Sequence, residues 1–274
     1  MKNNIAICTV IYNEYEVMND FIKSLDDQQN KNFHLFIADL STKRHAVDFE
    51  KKTTTYITGE NLGYAHGINL CIKEALRSGY ENFVVINNDT YFKEDFVGNI
   101  ISELEKYPHS ILGGKIYYAK GYEYHKDRYQ KENLGKVIWY AGGNTNWDHV
   151  TTTHHGVDKV DNGEYDKTEE TDFITGCLMC YGKEIYEKVG RWDESYFLYY
   201  EDSDYCERAK RKGIQLLYDP HLVLWHKNSA STGGSGSSTH VKYQTRNRLK
   251  FGLKYAPLKT KLHLVKNAFL DFIK

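Results

Sequence analysis

No apolar run in this 274-residue chain approaches the length of a bilayer-spanning helix, so none is expected. Met1 to Asn4 lead directly into Ile5–Ile11, a segment too short for the apolar core of a signal peptide, and polar Tyr12-Asn13-Glu14 follows at once. Cysteine is sparse and unpatterned. Cys8, Cys71, Cys177, Cys180 and Cys206 are odd in number and lack framework spacing, and Cys177/Cys180 has no second pair to complete a zinc site. They read as reduced core thiols of a cytoplasmic protein. Neither GxGxxG nor a Walker loop occurs, which leaves Rossmann dinucleotide binding and P-loop chemistry without motif support. No Ser/His/Asp or Cys/His arrangement stands out for nucleophilic catalysis.

Net charge is also nearly absent, at −1 overall, but its distribution is uneven. From Lys242 to Lys274 nine Lys/Arg face one acid, Asp271, so the preceding 241 residues carry −9. Leu, Phe, Tyr and Val lie between those charges. Such a tail could rest on an anionic membrane surface, and it reads equally as a solvated closing helix. Nothing points to nucleic acid, and self-association as a homodimer is left open.

With 41% hydrophobic and 27% charged residues, the chain can bury a full core as one large domain with an appendage. Ile5–Ile11 is a continuous apolar and β-branched run that predicts a strand buried on both faces, closed by a loop at Tyr12. Apolar spacing predicts a helix within 15–29, a strand over 34–40, a short strand at 56–58, a helix over 67–78 and a strand at 83–86. Leu222 to Trp225 reads as another strand end. Strands separated by helices imply an α/β fold with a parallel sheet, whose ligands bind beyond the strand C-termini. The polar clusters fall there: Tyr12-Asn13-Glu14, Asp39, Asn87-Asn88-Asp89 and His226. Asn61-Leu62-Gly63-Tyr64-Ala65-His66-Gly67 offers backbone amides near a helix start for an anion. Taken singly, each of these is equally a turn or cap residue.

Glu201-Asp202-Ser203-Asp204 is the densest carboxylate cluster. It follows the aromatic run Tyr196 to Tyr200 and opens a polar helical stretch containing Arg208, so acids meet apolar walls at a helix start, where desolvation raises the basicity of a carboxylate. An acidic first turn of a surface helix would look the same. Residues 115–172 are rich in Tyr, His, Gly and Asp, and their planar side chains, Trp139 among them, suit stacking on sugars. His154-His155 finds no third metal ligand at convincing spacing. Ser229 to Thr239 is Gly/Ser-rich and reads as a mobile loop or a linker.

Asn61-Leu62-Gly63, Asn69, Ile86 to Thr90, Thr175-Gly176-Cys177, Val189 to Glu194, Phe197 to Asp204, Trp225-His226-Lys227 and Arg246-Asn247-Arg248 stand in the order of the motifs of family 2 glycosyltransferases. The chain resembles that family over about residues 4–252, and within it the rhamnosyltransferase and galactofuranosyltransferase subgroup. The resemblance implies a GT-A fold, over about 1–240, with a donor half to about 114, an acceptor and catalytic half beyond it, and a basic helical extension over 241–274. It implies inversion at the anomeric carbon, with Asp202 as general base and Glu201, Asp204, Arg208, Trp139 and Tyr199 as supporting or acceptor residues. The nucleotide-sugar pocket is expected from Thr9, Tyr12, Asn13, Glu14, Asp39, Asn61, Gly63, Asn69, Asn87 and Asn88. Asp89 and His226 would hold a divalent Mn²⁺ or Mg²⁺. Asn87 departs from the pattern, since many members carry Asp there, and metal binding then rests on one carboxylate and His226. The implied donor is dTDP-rhamnose first, a UDP-sugar second, and the implied acceptor a glycan or lipid-linked glycan at the inner face of the cell membrane. A nucleotidyltransferase would need basic residues between Thr9 and Glu14, which are missing. A carbohydrate-binding scaffold would not need Asp89, Asp202 and His226 together.

Overall fold

The apolar run Ile5–Ile11 becomes strand β1, an interior strand of a ten-stranded sheet. The computed structural model describes residues 4–45, 53–227 and 238–273. Strands β2 (Phe33–Asp39), β3 (Thr54–Thr58) and β4 (Asn82–Ile86) join β1 in one parallel block, ordered β3-β2-β1-β4. The crossovers carry helices α1 (Asn19–Asp26) and α2 (Tyr64–Arg77). Phe83, Val84, Val85 and Ile86 are fully buried, as their unbroken apolar run requires of a strand covered on both faces. Each such side chain contributes roughly 1.5–3 kcal/mol through burial.

Helix α1 is shorter than its apolar spacing suggests, because the polar run from Asp26 to Asn30 gives it nothing further to bury. Helix α2 starts three residues before the expected Gly67, and the reason is tertiary: the Tyr64 amide donates to Phe197 O at 3.1 Å.

After β5 (Thr90–Phe92) and α3 (Phe96–Lys106), strand β6 (Ser110–Tyr118) runs through Gly113-Gly114, a pair that disguises it as a turn. Gly114 is needed there, since a Cβ would lie 2.1 Å from Leu222 O. Residues 138–170 add short strands β7 (Ile138–Tyr140), β8 (Gly143–Asn146), β9 (Thr151–His154) and β10 (Glu169–Glu170), with β8 and β9 forming a separate hairpin. Strand β11 (Leu178–Gly182) enters antiparallel between β4 and β6, and β12 (Gln215–His226) lies parallel to β6. The body of the sheet is therefore two parallel blocks joined by one reversed strand, and β5, β7 and β10 pair antiparallel with β12 or β6. Helices α4 (Lys183–Val189) and α5 (Glu201–Arg211) connect β11 to β12.

Helices α6 (Ser238–Tyr255) and α7 (Leu258–Ile273) close the chain. Phe251 and Ala256 build a second, smaller core with Val150, Tyr196 and Tyr200. The five thiols are free and buried. Most of the Gly/Ser-rich stretch 229–239 lies outside the described residues.

Candidate active site

Register brings Asp89 and His226 together. Strand β5 turns back antiparallel onto the end of β12 and pairs Thr90 with His226, and the Lys227 amide donates to Asp89 O at 2.9 Å. His226 Nε2 consequently lies 3.2 Å from Asp89 Oδ1, both side chains being almost fully enclosed.

The reversed strand β11 adds a third piece. Because β11 is antiparallel to β4, its start meets the end of β4, where the Asn87 amide donates to Cys177 O. Gly176, one residue earlier, donates its amide to Asp202 Oδ2 at 3.0 Å, while the Ser203 amide donates to Oδ1 at 2.7 Å. Burial raises the Asp202 carboxyl above the ordinary carboxylate range, opposed by those hydrogen bonds. Glu201 is raised well above its usual value by burial and then by the Asp202 charge, and its Oε2 is enclosed without a hydrogen-bond partner. Of the two, Asp202 has the more support for its charged form, since the Gly176 and Ser203 amides both donate to it.

The turn that presents Asp202 is itself constrained. Tyr199 and Tyr200 both adopt left-handed φ, 67° and 70°, as does Val150 at 53°. Such conformations cost on the order of 1–3 kcal/mol each and persist only where their surroundings fix them. Helix α6 supplies the fixing: Asn247 Nδ2 donates to Leu198 O at 2.8 Å and Tyr199 O at 2.9 Å, and Arg248 Nε donates to His149 O at 2.7 Å. On the other side, Gly63 must be glycine, with φ 104° and a would-be Cβ 2.2 Å from Phe197 O. Tyr64 OH donates to Gly176 O at 2.9 Å, so residues 63–64 hold both segments that touch Asp202.

These groups line one cleft of about 1030 Å³. Of the residues expected from sequence, Tyr12, Glu14, Asn61, Gly63, Asn87, Asn88, Asp89, Trp139, Tyr199, Glu201, Asp202 and His226 lie on its surface. Six others do not. Thr9 is buried within β1, and Asn13 is clipped to the neighbouring loop by Ser41 and Thr42. Asp39 accepts from Tyr15 OH and the Ser41 amide, and Asn69 fastens α2 to the Trp192 backbone and Glu194. Asp204 is wholly enclosed, holding Arg208 at 2.7 Å on one oxygen and Lys254 and Tyr255 of α6 on the other. Sequence reasoning gave no side-chain role to Tyr64 and no individual role to Gly176, Asn247 or His154. Gly176 and Asn247 stood inside the ordered motifs and Tyr64 directly after one, which was the available signal.

Asp89 Oδ1, 3.2 Å from His226 Nε2, is enclosed and makes no hydrogen bond. Buried polar atoms without partners are uncommon, and a carboxylate oxygen beside an imidazole nitrogen is a donor set acceptable to a borderline-hard divalent ion. The residues present fit such an ion. Glu103, Asp219 and His221 form another cluster of ligand atoms, at the junction of α3 and β12 and off the cleft.

The sheet, with this cleft beyond its strand ends, has the GT-A fold of solved glycosyltransferase structures. The family model described as glycosyl transferase family 2 matches residues 6–190, and the chain belongs to that family. Among curated relatives, the dTDP-rhamnosyl transferase RfbF of Shigella flexneri is 25% identical over 233 residues, 82% of this chain and 70% of that protein. The N-acetylglucosaminyl-diphospho-decaprenol L-rhamnosyltransferase of Mycobacterium tuberculosis is 23% identical over 252 residues, covering 87% and 80%. A solved structure of GalNAc-T7 with UDP, GalNAc and Mn²⁺ superposes with TM-score 0.64 at 13% identity, over 89% of this chain and 48% of that one. Among the described residues, no helix is long and apolar enough to cross a membrane.

Proposed function

We propose that the protein is an inverting glycosyltransferase that moves a sugar, L-rhamnose from dTDP-rhamnose in the first instance, onto a glycan or lipid-linked glycan acceptor. The observation that carries this reading is the placement of Asp202 in the same cleft as the Asp89/His226 pair. Asp202 takes the proton of the acceptor hydroxyl as that oxygen forms its bond to the anomeric carbon. The bond from that carbon to the diphosphate breaks on the opposite face, and the nucleoside diphosphate leaves with the electron pair. Burial suits Asp202 to the task, since a raised carboxyl binds the proton more strongly. Asp89 and His226 would hold Mn²⁺ or Mg²⁺, whose charge offsets that developing on the leaving diphosphate. In this reading Tyr12, Asn61 and Asn87 to Asn88, which line the cleft, would take the nucleotide sugar, and Trp139 and Tyr199 the acceptor. The relatives named as rhamnosyltransferases support rhamnose over a UDP-sugar such as UDP-galactofuranose.

On α7, Leu258, Leu262 and Val265 are exposed at helical spacing beside Lys259, Lys261 and Lys266, a pattern suited to an anionic lipid surface at the cytoplasmic face, where a lipid-linked acceptor would wait.

A thermal-shift panel of dTDP- and UDP-linked sugars, with and without Mn²⁺ or Mg²⁺, tests the reading, because a ligand that binds only the folded state raises Tm. A metal-dependent rise with one donor, followed by nucleoside diphosphate release on adding acceptor, is the expected result. No rise with any donor would defeat it.

A further inference from the structure

Trp139, His154 and His226 form a row along the cleft. The Trp139 ring meets both imidazoles edge-on, its centroid 4.6 Å from that of His226 and 4.7 Å from that of His154. His154 stacks on Phe173 at 5.9 Å and 15°, and meets Tyr140 edge-on at 5.1 Å. Its Nδ1 lies 2.9 Å from Trp139 O. A carbonyl oxygen can only accept, so in the neutral ring Nδ1 carries the hydrogen and Nε2 presents a bare lone pair. Burial keeps the ring neutral by lowering its pKa to about 4. Nε2 bonds to nothing among the described residues and is not enclosed, and His154 belongs to the surface of the cleft. Asp158 and Tyr118, joined by a 2.9 Å hydrogen bond, line the same cleft, as do Thr151 and Thr152. The result is an aromatic face fringed by hydrogen-bond acceptors and hydroxyls, which matches a sugar ring and its hydroxyl groups.

We infer that His154 reads a sugar hydroxyl, its Nε2 accepting a hydrogen bond from a ring that lies against Trp139. The inference rests on the transferase reading. The hydroxyl can belong to the transferred sugar or to the acceptor sugar, and the two are separable by experiment.

Three variants isolate the atom. His154→Phe keeps a ring against Phe173 and removes both nitrogens. His154→Asn restores a polar group at the reach of Nδ1, and His154→Gln at the reach of Nε2. Calorimetric Kd values for dTDP and dTDP-rhamnose, or for the nucleotide and sugar nucleotide that the donor panel selects, are compared with the acceptor KM. All three variants are expected to bind the bare nucleotide within about twofold of wild type. His154→Phe and His154→Asn should lose about tenfold, the scale of one unmade hydrogen bond, while His154→Gln recovers most of it. A loss in sugar-nucleotide Kd assigns the hydroxyl to the donor, and a loss in acceptor KM assigns it to the acceptor. In ¹⁵N NMR the wild-type ring should be the Nδ1–H tautomer. Rescue by Asn rather than Gln, an Nε2–H ring, or indifference of both constants to His154→Phe would each overturn the inference alone. A wild type that binds no nucleotide at all would overturn the transferase reading and this one with it.

Discussion

The two sides of the cleft are built by different means. On the side proposed for the donor, Asp89 and His226 sit where strands stop, and their approach follows from the pairing of Thr90 with His226. On the side proposed for the base, Asp202 follows two tyrosines in left-handed conformations, and the turn is secured by Asn247, 48 residues beyond Tyr199. Strand register is enforced by the whole sheet, because a slip of one residue would move every side chain of a strand to the opposite face. A strained turn has no such collective support and depends on a few donors. Damage to α6 should therefore appear in the chemistry while the donor side keeps its shape.

The most severe way to separate the sides is Asp202→Asn. Transfer should fall by about 10²–10⁴-fold, the usual worth of a general base, while donor Kd stays within about twofold. Transfer that survives in a nucleoside diphosphate release assay would remove Asp202 from the role. Asp89→Ala should do the converse and weaken donor binding in the presence of Mn²⁺ by about tenfold to a hundredfold. Binding without metal should change little, and calorimetry with and without chelator would expose a contrary result.

Asn247→Ala sharpens the contrast, since Asn247 does not line the cleft. It leaves the Leu198 and Tyr199 carbonyls without their donor, at about 1–3 kcal/mol each if they stay enclosed. We expect kcat to drop about tenfold with the donor KM unchanged; equal losses in both would mean that the two sides are not independent.

The smallest effect concerns stability. Glu201 and Asp202 have raised carboxyl pKa values, so their contribution to folding is present at low pH and is lost as pH rises through the folded values. Glu201→Gln should therefore leave Tm unchanged in acid and raise it at neutral pH, by about 2–4 °C for each kcal/mol recovered. A Tm difference that shrinks as pH rises would contradict the assignment.

The donor side was also the more legible in sequence. Ile5–Ile11 and Phe83 to Ile86 announce buried strands by their composition, and the polar residues that stop them mark the cleft edge. Strand β6 was hidden because Gly113-Gly114 reads as a turn until the packing of Leu222 and Ile174 is known. The separation of cleft residues from clips was illegible for a similar reason: Asn69 and Asp204 are ordinary polar residues in their own helices, and only the partners Trp192, Glu194, Lys254 and Tyr255 show how they are spent. Helix α6 reads as a basic tail because its charges are plentiful, whereas its structural contribution lies in Asn247 and Phe251.

The enclosure of all five cysteines gives the molecule a surface that is silent toward thiol-directed labels in its folded state. A single cysteine placed at exposed Leu262 on α7 and another at exposed Tyr124 on the cleft rim would be the only reactive positions, with no native residue to remove first. A fluorophore pair there would follow the closing helices relative to the rim as donor and acceptor bind, one molecule at a time.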